Sequence, residues 1–458
     1  MLPLNGKGAL LRYHSDMEDN RVASEPALLG WRRFHLGPMP GAREVRVACL
    51  SVFAASLVLT GISIVYGSRG ETVFGHELGG DFAQFYVVGK ILNEYPHDRV
   101  YDIQLEHRLQ HELLPSWDPS ATLVYANAPF LALLFRPLAK LPYVWAYVLW
   151  LLFSVVLYVA GLLLVWPTGG VYDSFRTTVL IISLSFFPFA FECWFGGQLS
   201  VIAFCALALC LKCQRLEQPL ISGFVLATCT YKPTLLVVVL PMLFIGRRFR
   251  IVLGFSMGSL ALAGVSFLVV GYKGCAAYLE TLRLYARVAA GDESVQRLFK
   301  YVDINSFVRL LLGRGSYINW VISSALAGVL FACLAYAWWY SPTYNKTATD
   351  LLWAATIAWT LILNAYVPIY DTILVVLSAV LTGGALYGAK QQLRAELHSL
   401  YLLLLLLYIT AGLTQYLVPL IHLQLMTLLL IALGLIELRL WRKALLDSLQ
   451  SIRSGPAE

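Results

Sequence analysis

The sequence has little charge. Only 13% of its 458 residues are Asp, Glu, Lys or Arg, whereas 59% are hydrophobic. Soluble domains are typically about 25% charged and about 45–50% apolar, and the mean hydropathy of this chain is +0.68. Apolar runs of about 20 residues, the length of a helix that crosses lipid, recur along the whole chain. The composition therefore excludes an ordinary soluble protein and predicts an all-α polytopic membrane protein.

Several motifs of familiar chemistries are also missing. The chain has no phosphate-binding P-loop, no dinucleotide-binding glycine fingerprint and no serine nucleophile elbow. One CxxC spacing, from Cys210 to Cys213, lacks both the second pair that zinc needs and the βαβ context of a redox motif. His107 and His111 are four residues apart, but the glutamates beside them favour an ordinary polar helix face over a metal site. We therefore expect no cofactor and predict no metal-binding residues, while the sequence leaves open whether the reaction depends on a metal ion.

The net charge of +7 lies mostly in the tails and short loops. This pattern is typical of orientation against a membrane and not of a nucleic-acid surface, so we expect no nucleic-acid partner. Residues 1–45 are polar and lack the short apolar core of a cleavable signal peptide. We interpret them as a disordered tail. Four arginines lie at or before the start of the first apolar span, residues 46–66, which places this tail in the cytoplasm.

The predicted topology has about twelve transmembrane helices, with both termini in the cytoplasm. A transmembrane domain, residues 46–438, precedes a cytoplasmic tail, residues 439–458. The first extracytoplasmic loop, residues 67–141, is long and carries an amphipathic stretch and a short apolar helix. A second large extracytoplasmic loop covers residues 272–315 and begins with a pattern typical of a helix on the membrane surface.

Two segments leave a second topology open. The apolar helix that ends at Pro137 has about ten residues, too few to span a bilayer alone, and the stretch 219–245 is too long for one straight span. In the second topology the helix that ends at Pro137 crosses the membrane and the stretch 219–245 forms one span. The basic residues of 212–215 then fall in a short outer loop, against the positive-inside rule. We therefore favour two short helices that meet outside at Lys232-Pro233.

In this topology the unusual polar residues collect on the extracytoplasmic side. They are Asp81, Gln198, Lys232, Asp303, Asn305, Tyr370 and Asp371. A lysine beside a proline in apolar sequence is costly in a membrane, and ionisable residues there indicate function. A helix broken at membrane depth is tolerated only where it faces protein or a water-filled cavity. We therefore expect an outer cavity with carboxylates, amides and a cation, which suits phosphate and hydroxyl chemistry.

Six stretches follow one another in a characteristic order. They are GGDFAQFYVVGKILNEYPHDRVYD, APFLALLFRPLAKLPYVWAYVLW, FFPFAFECWFGGQLSVIAF, SGFVLATCTYKPTLLVVVLPMLFIGRRFR, DINSFVRLLLG and YVPIYDTILVVL. In this order they resemble glycosyltransferase family 87, the membrane mannosyltransferases that use a polyprenyl-phosphate sugar donor, and the resemblance covers residues 46–390. It implies a C-type glycosyltransferase fold in the cytoplasmic membrane, with an extracytoplasmic active site.

The resemblance also implies roles for particular residues. Asp81 takes the place of the family's catalytic base, which an acidic residue of the first outer loop provides. Tyr86 belongs to the aromatic–small pattern that follows this residue, and we count it among the substrate-binding residues. Gln198 and its preceding glycine match a Gly-Gln pair, and Lys232 with its proline matches a Lys-Pro pair.

The later part of the chain contains further matches and one departure. Asp303 and Asn305 match a polar turn of the family, and Tyr370 with Asp371 matches a Tyr-Asp pair. We expect all four to bind substrate. Members often carry a Ser-Pro-His stretch ahead of the Tyr-Asp pair, whereas this chain has Asn, Ala and Tyr at positions 364–366.

A structural interpretation competes with each of these assignments. Asp81 and Asp371 stand where an aspartate often caps a helix. Lys232 has the position of a lysine that extends its amine from a helix end to the membrane surface. Gln198 could satisfy a bent backbone, and Asp303 could stabilise a turn.

The expected reaction needs two groups. Sugar transfer from a polyprenyl phosphate requires a base for the acceptor hydroxyl, here Asp81, and positive charge near the departing phosphate, here Lys232. The predicted function is transfer of a hexose, mannose by the resemblance, to a lipid-linked or envelope glycan with inversion. The alternative is a transporter or flippase of lipid-linked saccharides, because broken helices near a midplane site also occur in transporters. The long first outer loop and the lack of similarity between the two halves favour the enzyme.

Overall fold

A computed structural model describes residues 41–66, 71–72, 77–167, 170–290, 298–313, 317–341, 345–365, 367–387 and 396–453. The chain divides into two units, Met1–Gly41 and Ala42–Glu458. Most of the predicted N-terminal tail therefore lies outside the described residues, as do parts of both predicted outer loops.

The described residues form sixteen α-helices and no strand. The helices are α1 Ala42–Tyr66, α2 Phe82–Glu94, α3 Ile103–Leu113, α4 Pro129–Phe135, α5 Tyr143–Val165, α6 Gly170–Leu184, α7 Ser200–Arg215, α8 Pro219–Leu226, α9 Val239–Ile245, α10 Phe249–Ala290, α11 Ile304–Leu312, α12 Tyr317–Tyr340, α13 Lys346–Thr360, α14 Leu374–Tyr387, α15 Leu397–Ile421 and α16 Leu425–Arg453. A π-helix, Pro188–Phe195, follows α6.

Six helical stretches in the described ranges are long and apolar enough to cross a membrane. They are Arg43–Tyr66, Tyr143–Val165, Phe249–Leu284, Tyr317–Tyr340, Ile369–Tyr387 and Leu397–Ile421. A seventh span results if Phe175–Leu184 and Pro188–Phe195, which are bent by 54° against each other, count as one. The predicted all-α polytopic membrane protein is thereby confirmed. The figure of twelve passes stays a prediction, as does the C-type glycosyltransferase architecture.

The stretch 219–245 is broken, as the sequence predicts. It forms two shorter apolar helical segments, Pro219–Tyr231 and Pro233–Ile245. Between them Lys232 leaves the helical conformation, with φ −132° and ψ 83°. Proline causes this break, because it has no N–H to donate and its ring disfavours the helical conformation in the residue before it.

Glycines bring α8 and α10 into close contact. A Cβ atom on Gly223 would lie 1.9 Å from the carbonyl oxygen of Ile251, and one on Gly254 would lie 2.0 Å from that of Leu220. No other residue type fits at either position without displacing backbone. Such contacts between small residues are a common way to pack helices in lipid, where van der Waals contact replaces much of the hydrophobic driving force.

An aromatic cluster fixes the start of α2. The Phe82 ring stacks on Trp150 at a centroid distance of 6.2 Å and contacts Tyr147 at 5.6 Å, both on α5. On the next turns of α2, Gly89 allows α4 to approach, because a Cβ there would lie 2.4 Å from the carbonyl oxygen of Phe135. Asp81, the residue before α2, therefore precedes a helix that is closely packed against α5 and α4.

The predicted amphipathic stretch of the first loop is α3, and its polar face binds an extended segment of the chain. Gln110 accepts a hydrogen bond from the Leu123 amide at 2.9 Å and donates one to the Leu123 carbonyl at 2.7 Å. One turn earlier, Glu106 accepts from the Tyr125 amide at 2.9 Å. His107 and His111 bond to the same segment. The polar interpretation of these two histidines fits the contacts, and the described residues contain no group of three or more potential metal ligands.

Glu106 should make the stability of this loop depend on pH. Its side chain is 1% exposed, and burial raises the pKa of its carboxyl from an ordinary value of 4.5 to about 8, although the Tyr125 amide opposes the shift. Between these two pH values the folded protein holds a proton that the unfolded chain releases. The free energy of unfolding therefore falls as the pH rises from about 4.5 to about 8, by at most about 1.4 kcal/mol per pH unit. We expect Glu106→Gln to flatten this slope in thermal unfolding scans between pH 6 and pH 9.

The matched control is Glu112→Gln, which changes an exposed glutamate on the same helix. Its unfolding temperatures should follow those of the wild type at every pH. Parallel curves for wild type and Glu106→Gln would show that Glu106 does not titrate in this range.

Candidate functional site

Asp81 lies in a tight double turn built by glycines. Gly79 and Gly80 precede it with φ values of +84° and +48°, and Gly197 on the facing segment has φ +69°. These angles belong to the left-handed region, which glycine enters without strain. The Asp81 amide donates to the carbonyl of Gly196 at 3.1 Å, so the two turns are joined directly.

The Asp81 carboxylate faces the second turn. Its Oδ2 accepts a hydrogen bond from the side-chain amide of Gln198, and the Asp81 residue is half-buried. Although Asp81 precedes α2, its side chain makes no capping bond to that helix. The capping interpretation is therefore wrong, and the carboxylate is directed towards Gln198. Gln198 itself is buried, and its amide is used for this side-chain contact.

Gly197 is expected to tolerate no side chain. A Cβ there would lie 2.6 Å from the Gly79 carbonyl oxygen and 2.6 Å from the Phe82 Cβ, in addition to the strain of its positive φ. We expect Gly197→Ala to force the two turns apart, lower the unfolding temperature and remove activity. The control is Gly264→Ala in α10, where nothing lies within 4 Å of the added methyl and alanine is the better helix former. A fully active, equally stable Gly197→Ala protein would contradict this description of the turns.

A second charged group lies at the break in the stretch 219–245. The Lys232 ammonium forms an ion pair with Oδ2 of Asp371, and Ser200 Oγ donates to the other oxygen, Oδ1, at 2.6 Å. The ammonium also lies 4.8 Å from the centre of the Tyr370 ring, within the range of a cation–π contact. The Asp371 side chain is 1% exposed and that of Lys232 is 23% exposed. Asp371 lies within a short helical turn and caps no helix.

One short segment connects the two groups. Gln198 contacts Asp81, and Ser200, two residues later, contacts Asp371. Consecutive Cα atoms are about 3.8 Å apart, so the Cα atoms of Gln198 and Ser200 are at most about 7.6 Å apart. The structure thus brings together five of the predicted site residues, which the sequence scatters over almost 300 positions. They are Asp81, Gln198, Lys232, Tyr370 and Asp371.

Glu192 is a further acidic residue of this site. It lies on the π-helix that ends just before Gly196, and its Oε1 accepts a hydrogen bond from the Gln415 amide of α15. It is near enough to Asp81 and Lys300 to interact with both electrostatically. π-Helical turns occur often at functional sites. Glu192 is not among the predicted site residues, although a glutamate inside the apolar run FFPFAFECWF indicates a functional position.

Asp303 is buried and saturated with hydrogen bonds. It accepts from the amide and hydroxyl of Ser306, both at 2.9 Å, and from the amide of Val367 at 3.1 Å. It thereby caps α11 and fixes the segment that leads to Tyr370 and Asp371. This is the structural interpretation of Asp303, and its predicted contact with substrate stays a prediction.

Three more positions can be placed around the site. Asn305 is half-buried on the first turn of α11. Tyr86 is buried, and its hydroxyl donates to the Leu141 carbonyl at 2.8 Å, which ties α2 to the end of the first loop. Asn364, at the departure from the family pattern, donates to the carbonyl of Thr234, two residues after Lys232. Position 366 lies outside the described residues.

Comparison with known proteins gives one match. The sequence model of glycosyltransferase family 87 matches residues 125–364, which is 240 of the 458 residues. The chain belongs to glycosyltransferase family 87. No curated protein and no solved structure matches it.

Membership of glycosyltransferase family 87 makes this protein an integral membrane glycosyltransferase, an enzyme that uses a sugar donor and a glycan or lipid acceptor. The matched range includes Gln198 and Lys232 but neither Asp81 nor Asp371. The placement of Asp81 and Asp371 in the site is supported by geometry instead. The side chain of each contacts a side chain within the matched range, Gln198 for Asp81 and Lys232 for Asp371.

Proposed function

We propose that this glycosyltransferase moves a hexose, with mannose as the first choice, from a polyprenyl-phosphate donor to a lipid-linked or envelope glycan. The observation that carries the proposal is the segment Gln198–Ser200, which brings a carboxylate and a partly buried cation into one site. A sugar bonded to a phosphate already has its leaving group. The enzyme has only to activate the acceptor and stabilise the departing charge.

In the proposed reaction Asp81 takes the proton of an acceptor hydroxyl. The hydroxyl oxygen bonds to the anomeric carbon, the bond from that carbon to the phosphate oxygen breaks, and polyprenyl phosphate departs with the electron pair. Attack opposite the leaving group inverts the anomeric carbon. Lys232 offers a compact positive charge to the phosphate, while Asp371 and the Tyr370 ring keep the ammonium in place before the donor binds.

The Lys232 charge is also why we propose a reaction without a cofactor or a metal ion. We further place the site on the extracytoplasmic side of the cytoplasmic membrane, because this orientation leaves the short basic clusters inside. The family favours this transferase over the transporter alternative.

The test is sugar transfer by the purified protein in nanodiscs. Radiolabelled polyprenyl-phosphate mannose and a membrane-lipid extract should yield a labelled lipid or glycan with inverted configuration, at the same rate in EDTA. In sealed vesicles, donor in the outer leaflet should react only when the vesicles are right-side-out. A folded protein that transfers no hexose from any polyprenyl phosphate would overturn the proposal, and transfer of glucose alone would correct the sugar.

A further inference from the structure

One face of α15 packs against the π-helix of the site and brings a polar side chain to it. Gly412 and Gln415 are three residues apart and therefore lie on the same face of α15. A Cβ atom on Gly412 would lie 3.7 Å from the side chain of Phe187, the residue before the π-helix. At the next turn the Gln415 side-chain amide donates a hydrogen bond to Oε1 of Glu192. Helix packing therefore fixes this amide beside the carboxylate, although Gln415 lies outside the range that matches the family model.

Glu192 is adjacent to the turn that holds Asp81. A Cβ atom on Gly196 would lie 2.3 Å from the carbonyl oxygen of Glu192, and the carbonyl of Gly196 accepts a hydrogen bond from the Asp81 amide at 3.1 Å. The ion pair of the site is reached only at Ser200, farther along the same segment. The segment therefore meets the second carboxylate first, then the proposed base, and the cation last.

The Glu192 carboxylate can accept more hydrogen bonds than the described part of the chain provides. Its Oε1 accepts one from Gln415, whereas a carboxylate has about four acceptor positions. The residue is half-buried, and Lys300 is near enough to offset part of its charge. A neutral side chain would suffice for a hydrogen bond between two helices. An ionisable residue inside an apolar helix is costly and indicates a function.

The proposed reaction places the acceptor on the Asp81 side of the site. The attacking oxygen lies between the base and the anomeric carbon, while the donor phosphate lies at the cation. The rest of the acceptor then extends past Asp81, where Glu192 and Gln415 are. In a sugar, a carbon next to the attacking hydroxyl carries a second hydroxyl. A carboxylate is a strong acceptor for such a group, because hydrogen bonds to ionised acceptors are roughly twice as strong as neutral ones.

We propose that Glu192 binds the acceptor hydroxyl adjacent to the one that attacks, and that Gln415 holds the carboxylate in position. The inference rests on the proposed function and names the acceptor class, which is a glycan with a vicinal diol at the attacking end. A lipid alcohol with a single hydroxyl leaves the Glu192 carboxylate without this hydrogen-bond donor, so the site selects the diol.

Periodate separates the two acceptor classes, because it cleaves vicinal diols and leaves isolated hydroxyls intact. Wild-type protein in nanodiscs should transfer label from polyprenyl-phosphate mannose to a membrane-lipid extract. Oxidation of the extract with periodate, followed by reduction with borohydride and removal of both reagents, should lower the rate at least about tenfold, because the acceptor loses a hydrogen bond to a charged group. Undiminished transfer to the oxidised extract would overturn the inference.

Glu192→Gln should raise the KM for the acceptors in the untreated extract about ten- to a hundredfold. The kcat and the KM for the donor should change little, and the new amide oxygen can still accept from Gln415. Gln415→Met should raise the same KM by less, because the carboxylate remains. Glu280→Gln changes an exposed glutamate of α10 and should behave as the wild type. An unchanged acceptor KM in Glu192→Gln, or a loss confined to kcat, would overturn the proposed role.

A binding measurement without turnover separates this inference from the proposed function. A ligand of the folded protein raises its unfolding temperature. The untreated extract should therefore stabilise the wild type more than the oxidised extract does, and this difference should vanish in Glu192→Gln, whereas polyprenyl phosphate should stabilise both proteins. The expected difference without any sugar transfer would keep the diol site and reject the transferase proposal. No difference between the two extracts, or a difference that persists in Glu192→Gln, would reject the diol site.

Discussion

Replacing Asp81 by Asn should lower kcat by about 10²- to 10⁴-fold, the usual contribution of a general base. An asparagine oxygen can still accept the hydrogen bond that Gln198 donates to Asp81, so the double turn should stay intact. The amide cannot take a proton from the acceptor. The KM for the donor should therefore change little, because we propose that the donor phosphate contacts Lys232 and not Asp81. Initial rates of sugar transfer with saturating donor measure the loss, and thermal unfolding checks the fold.

Asp118→Asn provides the control, since it is the same chemical change at an exposed turn of the same loop. It should transfer sugar at the wild-type rate. If Asp81→Asn keeps its activity as well, the base lies elsewhere, and Glu192 is the carboxylate to test next because it is close to the same turn.

Replacing Lys232 by Met should have two separable effects. It removes the charged partner of Asp371, whose side chain is 1% exposed. An uncompensated buried charge costs about 3–5 kcal/mol, and the partial exposure of Lys232 favours the lower end. It also removes the cation that we propose for the donor phosphate, so the KM for the donor should rise steeply. Thermal unfolding reports the first effect and transfer kinetics the second.

The double variant Lys232→Met with Asp371→Asn distinguishes the effect on stability from the effect on donor binding. Asparagine keeps the hydrogen bond from Ser200 and carries no charge, so stability should return towards that of the wild type. Transfer should not return, because the double variant still lacks the cation that we propose for the donor phosphate. Recovery of both properties in the double variant would reduce Lys232 to a structural ion-pair partner.

The local features of this protein were readable from the sequence. Low charge and long apolar runs predicted the all-α membrane bundle, and Lys232-Pro233 predicted the broken stretch because proline acts on its immediate neighbours. The sequence did not determine how many helices cross the membrane, because some predicted membrane passes are short helices. The predicted passes at α7 and α13 have 16 and 15 residues, fewer than the about 20 that cross a bilayer without help.

The partners within the site were not readable in the same way. Lys232 and Asp371 were both predicted as site residues, but their pairing joins positions 139 apart and depends on how α7, α8 and α14 pack. Ser200 carried no signal, since a serine at a helix start is ordinary. The π-helix that contains Glu192 could not be predicted from the sequence. Its residues are apolar on almost every face, so they show no periodicity that distinguishes a π-helix from an α-helix.

The glycine contacts between α8 and α10 also set an order of events during biosynthesis. The helix α8 has only eight residues, too few to be held by lipid alone, and its close partner α10 continues unbroken to a kink at Gly271, about forty residues beyond the Lys232-Pro233 break. At about 5–20 residues per second, a ribosome adds this length in roughly 2–8 s. During that interval Lys232 lies at the end of a short helix without its packing partner, so we expect a newly made chain to form the proposed phosphate-binding end of the site only after α10 has packed against α8.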